Sequence, residues 1–301
     1  MRRFLIVAGA ILSTFLSVVT LYAAPSGAAS GKLSVVASFD AMAEFVRAVG
    51  GDKVEVTTLT PAGTEPHEFE PKAQDMVTLS KAAVFVYNGL GMEAWAEKAI
   101  AAAANKNLVS VKASEGAVPI ANSDPGEVKE HGQYDPHLWL SLSGAALEAK
   151  NIAAVLSKVD PNNSAYYKKN LDAFTKTLGE LSTEYASKYQ SQKRRSFVTG
   201  HAAFAYFCRD FGLEQNSVED VFAEGEPSAK GLASLVDYCR KNNIRTIFVE
   251  DMVSPAVSRA LASEVGAKVE TIATCEGPED GKTYLERQRD NLEKVYAALS
   301  Q

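Results

Sequence analysis

From residue 32 onward, short runs rich in β-branched and aromatic residues alternate with longer segments of helical periodicity. Alternation of this kind is typical of parallel sheets built from βαβ units. It predicts an α/β fold with two lobes, each with a mostly parallel sheet flanked by helices. The candidate strands are 33–38, 54–59, 83–87 and 108–112 in the first half and 196–199, 245–250 and 268–272 in the second. The candidate helices are 40–49, 71–80 and 92–104, followed in the second half by one from about 203, 255–265 and 283–299.

A long segment between the two halves, 164–190, contains no glycine or proline except Gly179. Its apolar residues recur at spacings of three and four, which predicts one helical face. They are Leu171, Phe174, Leu178, Leu181 and Tyr185. Such a helix would be about 40 Å long and could connect two lobes. The alternative is two helices broken near Gly179, because an interior glycine costs about 1 kcal/mol relative to alanine. The predicted boundaries are a lobe at 32–160, the linking helix at 161–192 and a second lobe at 193–301.

The N-terminus has the pattern of an export signal. Two arginines precede an apolar run, 4–19, and small residues follow at 23–29. We interpret residues 1–28 as a signal peptide that is cleaved near Ala28, which makes the mature protein periplasmic or extracellular. The alternative is a retained membrane anchor, because the run nearly reaches the roughly 20 residues that span a bilayer.

The 301-residue chain has ordinary globular composition, with 46% hydrophobic and 23% charged residues. Its formal charge is −6, and loss of residues 1–28, which hold two arginines and no acid, changes it to −8. An acidic surface repels phosphate backbones, and the sequence has no basic stripe interleaved with aromatics. Nucleic acid is therefore not expected as a partner, whereas cations are weakly attracted.

The three cysteines, Cys208, Cys239 and Cys275, all lie in the last third of the chain. An oxidising compartment permits one disulfide among them and leaves one thiol over, but the sequence does not determine the pairing. Buried structural thiols are the alternative. Because the chain has no CxxC element, we do not expect a zinc site made of cysteines.

Three of the four histidines lie where a β-rich or turn segment gives way to a helix, the position at which α/β proteins bind ligands. His67 follows the second candidate strand on a loop that Pro66 restrains. His137 also follows a proline, and Asp135 could accept a hydrogen bond from its ring or its backbone. His201 follows the first strand of the second half. This placement makes the three histidines candidate ligands.

Each histidine also has an ordinary interpretation. A loop histidine flanked by acids, such as His67, is usually solvated, His137 fits a helix-entry motif, and a buried hydrogen-bonded ring fits His201. Together, the three histidines indicate a zinc site, because neutral imidazoles are preferred zinc ligands. Zinc–nitrogen bonds of about 2.0–2.1 Å require precise ligand placement, which rigid loops provide. Two come from the first lobe and one from the second, so we expect a cation in the cleft between the lobes. The fourth, His131, lies in a polar stretch and is interpreted as a surface loop residue.

Five motifs are spread in order across both predicted lobes. They are GTEPHEFEP at 63–71, DPHLWL at 135–140, TGHAAFAYF at 199–207, EPSA at 226–229 and IFVE at 247–250. With the closing helix, they make the chain resemble the solute-binding proteins of zinc and manganese ABC importers, the metal-binding cluster A-I. The resemblance implies two α/β lobes joined by a long helix and one metal ion between them. It also implies His67, His137 and His201 as ligands and delivery to a membrane permease.

The resemblance also bears on which metal is bound. Manganese-selective members usually have glutamate at the third ligand position, whereas this chain has His201, and a nitrogen-rich set favours zinc. The chain lacks the long His-rich loop of many zinc members, which leaves manganese or iron as alternatives. The family usually supplies an acidic fourth ligand where this chain has Ala273 and Thr274. Glu276 is the nearest carboxylate and our candidate for that ligand, with water as the alternative.

Two other functions compete with metal transport. A zinc-dependent hydrolase would need three protein ligands and an exchangeable water, with Glu65 or Glu68 as general base. The chain has no HExxH motif and no triad of nucleophile and base beyond these histidines. An adhesion protein is a third candidate, but the sequence marks no adhesive patch. We therefore expect a monomeric, non-enzymatic protein that carries one divalent ion, zinc first, to the permease of an ABC importer.

Overall fold

The computed structural model describes residues 31–122, 128, 132–221, 228–250, 254–278 and 281–301. Lys32–Gln301 form one compact unit. The expected signal peptide at 1–28, His131 and the first half of the EPSA motif lie outside the described residues. Within the described part of the chain, no helix combines the length and hydrophobicity that crossing a bilayer requires.

The first half of this unit contains a four-stranded parallel sheet. Its strands are β1 (Leu33–Ala37), β2 (Val54–Thr58), β3 (Val84–Tyr87) and β4 (Val109–Lys112), in the order β2-β1-β3-β4. Its helices are α1 (Asp40–Gly50), α2 (Ala73–Lys81) and α3 (Ala96–Ala102). Successive residues of a strand point to opposite faces, so Val35 and Ala37 enter the main core while Val36 enters a smaller one. Burial on both faces explains why the inner strands are almost wholly apolar.

Two long helices, α4 (Leu142–Val159) and α5 (Ser164–Gln190), follow the first sheet. The predicted linking helix is α5, and it runs unbroken through Gly179, so the alternative of two shorter helices is wrong. Its buried face consists of Tyr167, Phe174, Leu178, Leu181, Tyr185 and Tyr189. Near one end, Asn170 Nδ2 donates to the carbonyl of Val49 at 3.0 Å, and near the other, the Tyr189 hydroxyl donates to the carbonyl of Leu292 at 2.8 Å. The helix therefore contacts both halves of the protein.

The second half repeats the architecture of the first. Its strands are β5 (Ser196–Thr199), β6 (Glu214–Ser217), β7 (Thr246–Val249) and β8 (Lys268–Thr271), all parallel and in the order β6-β5-β7-β8. Its helices are α6 (Ala205–Phe211), α7 (Ala229–Lys241), α8 (Pro255–Val265) and α9 (Tyr284–Leu299). The predicted fold class of two parallel α/β lobes is confirmed.

The main core is shared by both halves. Phe45 of α1 packs edge-on against Phe174 of α5 and against Tyr284 of α9, with ring centroids 5.8 and 4.7 Å apart. Phe174 and Tyr284 are themselves 6.1 Å apart. Aromatic pairs at such distances add stability beyond the area they bury. This shared core fixes the two halves against each other beneath the loops that follow their strands.

Some elements differ from their predictions. The strand β6 was not predicted, because its sequence Glu-Gln-Asn-Ser is polar throughout. The helix predicted at 92–104 is shorter, at Ala96–Ala102, because the chain still runs through turns at residues 90–95. The three cysteines are buried thiols, which agrees with the structural-thiol alternative rather than a disulfide.

Candidate metal centre

Four side chains from separate loops converge between the two sheets. The Nε2 atoms of His67 and His201 lie 3.2 and 3.3 Å from Nε2 of His137. Oε1 of Glu276 lies 3.5 Å from Nε2 of His67, 3.4 Å from Nε2 of His137 and 4.0 Å from Nε2 of His201. All four donor atoms lie within 4.8 Å of one another. The structure thus brings together every residue that the sequence nominated as a ligand.

This spacing suits a tetrahedral zinc ion. Zinc–nitrogen bonds of about 2.0–2.1 Å and tetrahedral angles place neighbouring donors about 3.3–3.4 Å apart. Two N···N distances of 3.2 and 3.3 Å and two N···O distances of 3.4 and 3.5 Å agree with that value. The edge between His201 and Glu276 is longer, at 4.0 Å. Four protein donors are the number found in closed zinc sites, whereas catalytic sites commonly have three.

His67 lies on the loop that follows β2. Its side chain is 1% exposed, so the interpretation of a solvated loop histidine is wrong. Two neighbours explain the burial: Pro66 is buried, and Phe69 is 7% exposed in the smaller core of the first half. The backbone N–H of His67 donates to Glu65 Oε1 at 3.3 Å. The rigid turn therefore aims the ring inward.

His137 is oriented by the carboxylate two residues before it. Its Nδ1 donates to Asp135 Oδ1 at 2.9 Å, and its backbone N–H donates to the same oxygen at 2.8 Å. The sequence predicted a hydrogen bond to the ring or to the backbone, and both are present. Because Nδ1 carries the donated proton, Nε2 faces the other donors. Burial alone lowers the pKa of His137, but its contacts with Asp135 and Glu276 outweigh burial and raise the pKa to about 9.

His201 follows β5 and is held by a carboxylate at the end of β7. Its backbone N–H donates to Glu250 Oε1 at 3.3 Å, and its Nδ1 lies 3.8 Å from that oxygen. A Cβ on Gly200 would collide with Glu250 Oε2, so the absence of a side chain at this position lets the carboxylate stay beside the backbone of His201. Burial lowers the pKa of His201 to about 3, which keeps the ring neutral, and raises the pKa of Glu250 to about 8. No role for Glu250 was predicted from the sequence, although its position directly after a buried strand was a usable signal.

Glu276 lies on the loop after β8 and is 1% exposed. Thr274 Oγ1 donates to its Oε2 at 2.7 Å, which leaves Oε1 directed at the histidines. Burial alone raises the pKa of Glu276, but His137 and His67 outweigh burial and hold the pKa well below its usual range. The carboxylate therefore stays ionised. Thr274, which occupies a position where the family usually has its acidic ligand, orients Glu276 through this hydrogen bond.

Of the two glutamates considered as a general base, Glu65 lies closer to the cluster. Burial and the negative charge of Glu276 raise the pKa of Glu65 to about 8, so it is neutral at pH 7. A neutral carboxyl group is a poor base at that pH. Glu68 is exposed. Neither residue has the state and location that a hydrolase would require.

Two α/β lobes with a buried cluster of three imidazoles and one carboxylate between them define the class of two-lobed solute-binding proteins. The family model for ZnuA, the periplasmic component A of a zinc-uptake complex, matches residues 35–298. The chain therefore belongs to the ZnuA family. Because that family consists of binding proteins of zinc transporters, the comparisons do not support the zinc-hydrolase alternative.

Curated relatives match along nearly the whole chain. A protein of Treponema pallidum (strain Nichols) is 43% identical over 277 residues, which cover 89% of this chain and 88% of that protein. The high-affinity zinc uptake system protein ZnuA of Bacillus subtilis (strain 168) is 35% identical over 284 residues, with the same coverage of 89% and 88%. Both alignments cover 89% of this chain.

Solved structures agree at similar levels. The Zn(II)-bound ZnuA-like domain of Streptococcus pneumoniae AdcA is 33% identical, with a TM-score of 0.77 over 90% of this chain and 100% of that one. The laminin-binding protein Lmb of Streptococcus agalactiae, described as a bifunctional protein with adhesin and metal transporting activity, is 35% identical. Its TM-score is 0.80, over 89% of this chain and 100% of that one. The same fold therefore occurs in a protein with zinc bound.

Proposed function

We propose that the protein captures one zinc ion with His67, His137, His201 and Glu276 and delivers it to the permease of an ABC importer. The convergence of three Nε2 atoms and one carboxylate oxygen within 4.8 Å of one another, in a buried site, carries this proposal. Zinc is favoured over manganese or iron because three of the four donors are nitrogen. The zinc-bound AdcA domain and the zinc-uptake protein of Bacillus subtilis support the choice of metal.

The protein acts outside the cytoplasm as a monomer of two lobes and a linking helix. Residues 1–28 act as a cleaved signal peptide, and the mature monomer works in the periplasm or outside the cell. The family description as a periplasmic component supports an exported protein. The working parts are an N-terminal lobe at 32–160, the linking helix at 161–192 and a C-terminal lobe at 193–301.

Capture requires three neutral imidazoles and an ionised carboxylate. His201 is kept neutral by burial, Asp135 keeps a proton on Nδ1 of His137, and Glu276 is ionised. An arriving cation displaces the proton on Nε2 of His137, which is released to solvent. Since the protein fills all four tetrahedral positions, it holds the ion without offering a water for hydrolysis.

Metal analysis of variants tests the proposal. Replacement of His137 by alanine should lower zinc affinity by at least about 100-fold, because it removes a ligand at the centre of the cluster. The matched control His131→Ala should bind zinc as the wild type does. Affinities come from competition with a chromophoric chelator, and elemental analysis after purification without added metal identifies the ion. Unchanged affinity in His137→Ala contradicts the assignment, as does hydrolysis of ester or peptide substrates by the zinc-loaded protein.

A further inference from the structure

A buried ion pair joins the two halves beside the proposed metal site. Arg287 of α9 donates from Nη2 to Asp40 Oδ2 of α1 at 2.6 Å. The side chains are 3% and 7% exposed, and 247 residues separate them in sequence. A buried ion pair seldom adds much net stability, because the cost of desolvating both charges offsets their attraction. We therefore ask which part of the structure the Asp40–Arg287 pair holds in position.

The same two residues hold the backbone that carries Glu276. Arg287 Nη1 donates to the carbonyl of Gly277 at 2.7 Å. The backbone N–H of Asp40 donates to the carbonyl of Glu276 itself at 3.3 Å. One guanidinium group thus joins the first half to the peptide that follows Glu276. A planar group with several fixed donors is suited to contacting two acceptors at once.

The loop around Glu276 needs such support because its backbone is strained. Cys275 has a φ of 58°, in the left-handed region that a residue with a side chain rarely adopts. Strained residues persist where their surroundings determine the conformation. A second contact from the first half supplies part of this restraint, since Trp139 Nε1 donates to the carbonyl of Thr274 at 2.7 Å. Contacts from the first half therefore reach both sides of Cys275 and Glu276.

We propose that Asp40 and Arg287 are positioning residues that fix the Glu276 carboxylate as the fourth metal ligand. This inference rests on the proposed function. Without the pair, Arg287 no longer links the carbonyl of Gly277 to Asp40, so the loop that holds Glu276 keeps only its backbone contact with Asp40 and its contact with Trp139. The three histidines then bind the cation with a fourth position that is open to water. The pair acts through Glu276 and touches no metal itself.

The test is a double-mutant cycle on zinc affinity. Arg287→Lys keeps the positive charge but replaces the fork by a single ammonium group, which cannot reproduce both contacts. It should lower zinc affinity by about 10- to 100-fold, as is typical when residues that orient a ligand are replaced. In the Glu276→Ala background, the same substitution should change affinity by less than about threefold, because no ligand remains to be positioned. Asp40→Asn, which keeps an acceptor and the backbone N–H, should give a smaller loss in the same direction.

Cobalt(II) provides a readout that a general loss of stability would not move. Cobalt-loaded wild-type protein should show the intense visible bands of four-coordinate cobalt, and Arg287→Lys should show bands shifted in wavelength as water replaces the carboxylate. The matched control is Arg240→Lys on the surface of the second half, where Arg240 Nη2 donates to Glu264 Oε1 at 2.7 Å, and it should change neither readout. Equal losses of affinity in both backgrounds, or an unchanged Arg287→Lys, overturn the inference. If His137→Ala and Glu276→Ala both bind zinc normally, the proposed function itself fails.

Discussion

A buried imidazole binds a cation when it is neutral and its lone pair faces the site, and different contacts prepare His201 and His137 for that role. Burial in the second half keeps His201 neutral, with a pKa of about 3. His137 instead depends on Asp135, which accepts a hydrogen bond from Nδ1 at 2.9 Å and fixes the ring. A carboxylate in this position orients the ligand and increases its basicity. Asp135 therefore contributes to affinity without touching the metal.

Substitution of this carboxylate tests its contribution. Asp135→Asn keeps an oxygen acceptor but removes the charge, and we expect zinc affinity to fall by about 10- to 100-fold. Chelator competition at pH 7 measures the change. The matched control is Asp172→Asn on the exposed side of α5, where the side chain is 62% exposed, and it should bind zinc normally. A normal affinity for Asp135→Asn would show that the ring is fixed by its surroundings alone.

Glu148 of α4 is a buried acid outside the metal cluster. It is 0% exposed, and neither of its carboxylate oxygens has a hydrogen-bond partner among the described residues. Burial, with the nearby charge of Glu93, raises the pKa of Glu148 well above 4.5. The unfolded chain loses this proton near pH 4.5 while the folded protein retains it, so Glu148 makes the fold less stable as pH rises above that value.

Removal of the ionisable group should reverse this effect. Glu148→Gln should raise Tm at pH 7, and the gain should shrink toward zero as pH is lowered to about 4.5. Thermal unfolding followed by circular dichroism across this range measures the difference. Glu180→Gln, at a side chain 66% exposed on α5, serves as the control and should shift Tm little at either pH. A gain that is the same at both pH values would point to packing rather than ionisation.

The site was largely predictable from the sequence, and the exceptions have physical causes. His67, His137 and His201 follow strands or turns, where side chains of a parallel fold collect, and Asp135 lies two residues from its partner. Glu276 could be nominated as the nearest acid. The contacts of Glu250 with His201 and of Asp40 with Arg287 span 49 and 247 residues. Contacts at such separation depend on how the sheets pack, which local pattern does not reveal.

At the scale of elements, the long helix α5 has one avoidable weakness. Gly179 lies in its interior on the exposed side, and a Cβ at that position would meet no atom within 4 Å. Glycine in a helix costs about 1 kcal/mol relative to alanine because the unfolded chain has more freedom to lose. The packing of the opposite face onto the main core keeps the helix continuous in spite of this cost.

Gly179→Ala should therefore increase the free energy of unfolding by about 0.5–1 kcal/mol. The opposite exchange at another exposed position of α5, Ala173→Gly, should decrease it by a similar amount. Urea unfolding of the metal-free proteins measures both. Zinc affinity should stay the same in each variant, because neither residue lies near the cluster. A destabilising Gly179→Ala would mean that the bare backbone is needed at this point.

The elements themselves were predicted unevenly, for reasons that differ between sheets. The buried strands β1 and β3 are apolar on both faces and stand out in the sequence. The strand β6 is an edge strand of four polar residues, and its pairing with β5 is visible only once the sheet is formed. Strand order was not predicted at all, because composition carries no information on which parallel strands are neighbours.

For the molecule as a whole, metal binding and proton release are coupled. The pKa of His137 is about 9 without metal, so the ring carries two protons at pH 7, whereas a metal ligand must be neutral. His201, with a pKa of about 3, has no extra proton to lose. Zinc affinity should therefore rise with pH up to about 9. The raised pKa also stabilises the metal-free fold below pH 6.5, and this stabilisation is lost as pH rises through about 9.

Calorimetry can count the proton. Titration of zinc at pH 7 in buffers of different ionisation enthalpy should give at least one proton released per ion, and the affinity should rise about tenfold per pH unit below pH 9. In Asp135→Asn the count should be smaller, because loss of the carboxylate lowers the pKa of His137. Heats that do not depend on the buffer would show that His137 is already neutral in the metal-free protein.

All four candidate donors stand beyond the ends of strands, and none lies within a strand or a helix. His67 follows β2, His201 follows β5 and Glu276 follows β8, while His137 comes at the end of the long connection after β4. The residues that determine which ion is bound are thus different from those that form the hydrophobic core. Evolution or protein engineering can exchange one ion for another at these tips while the folded framework stays as it is.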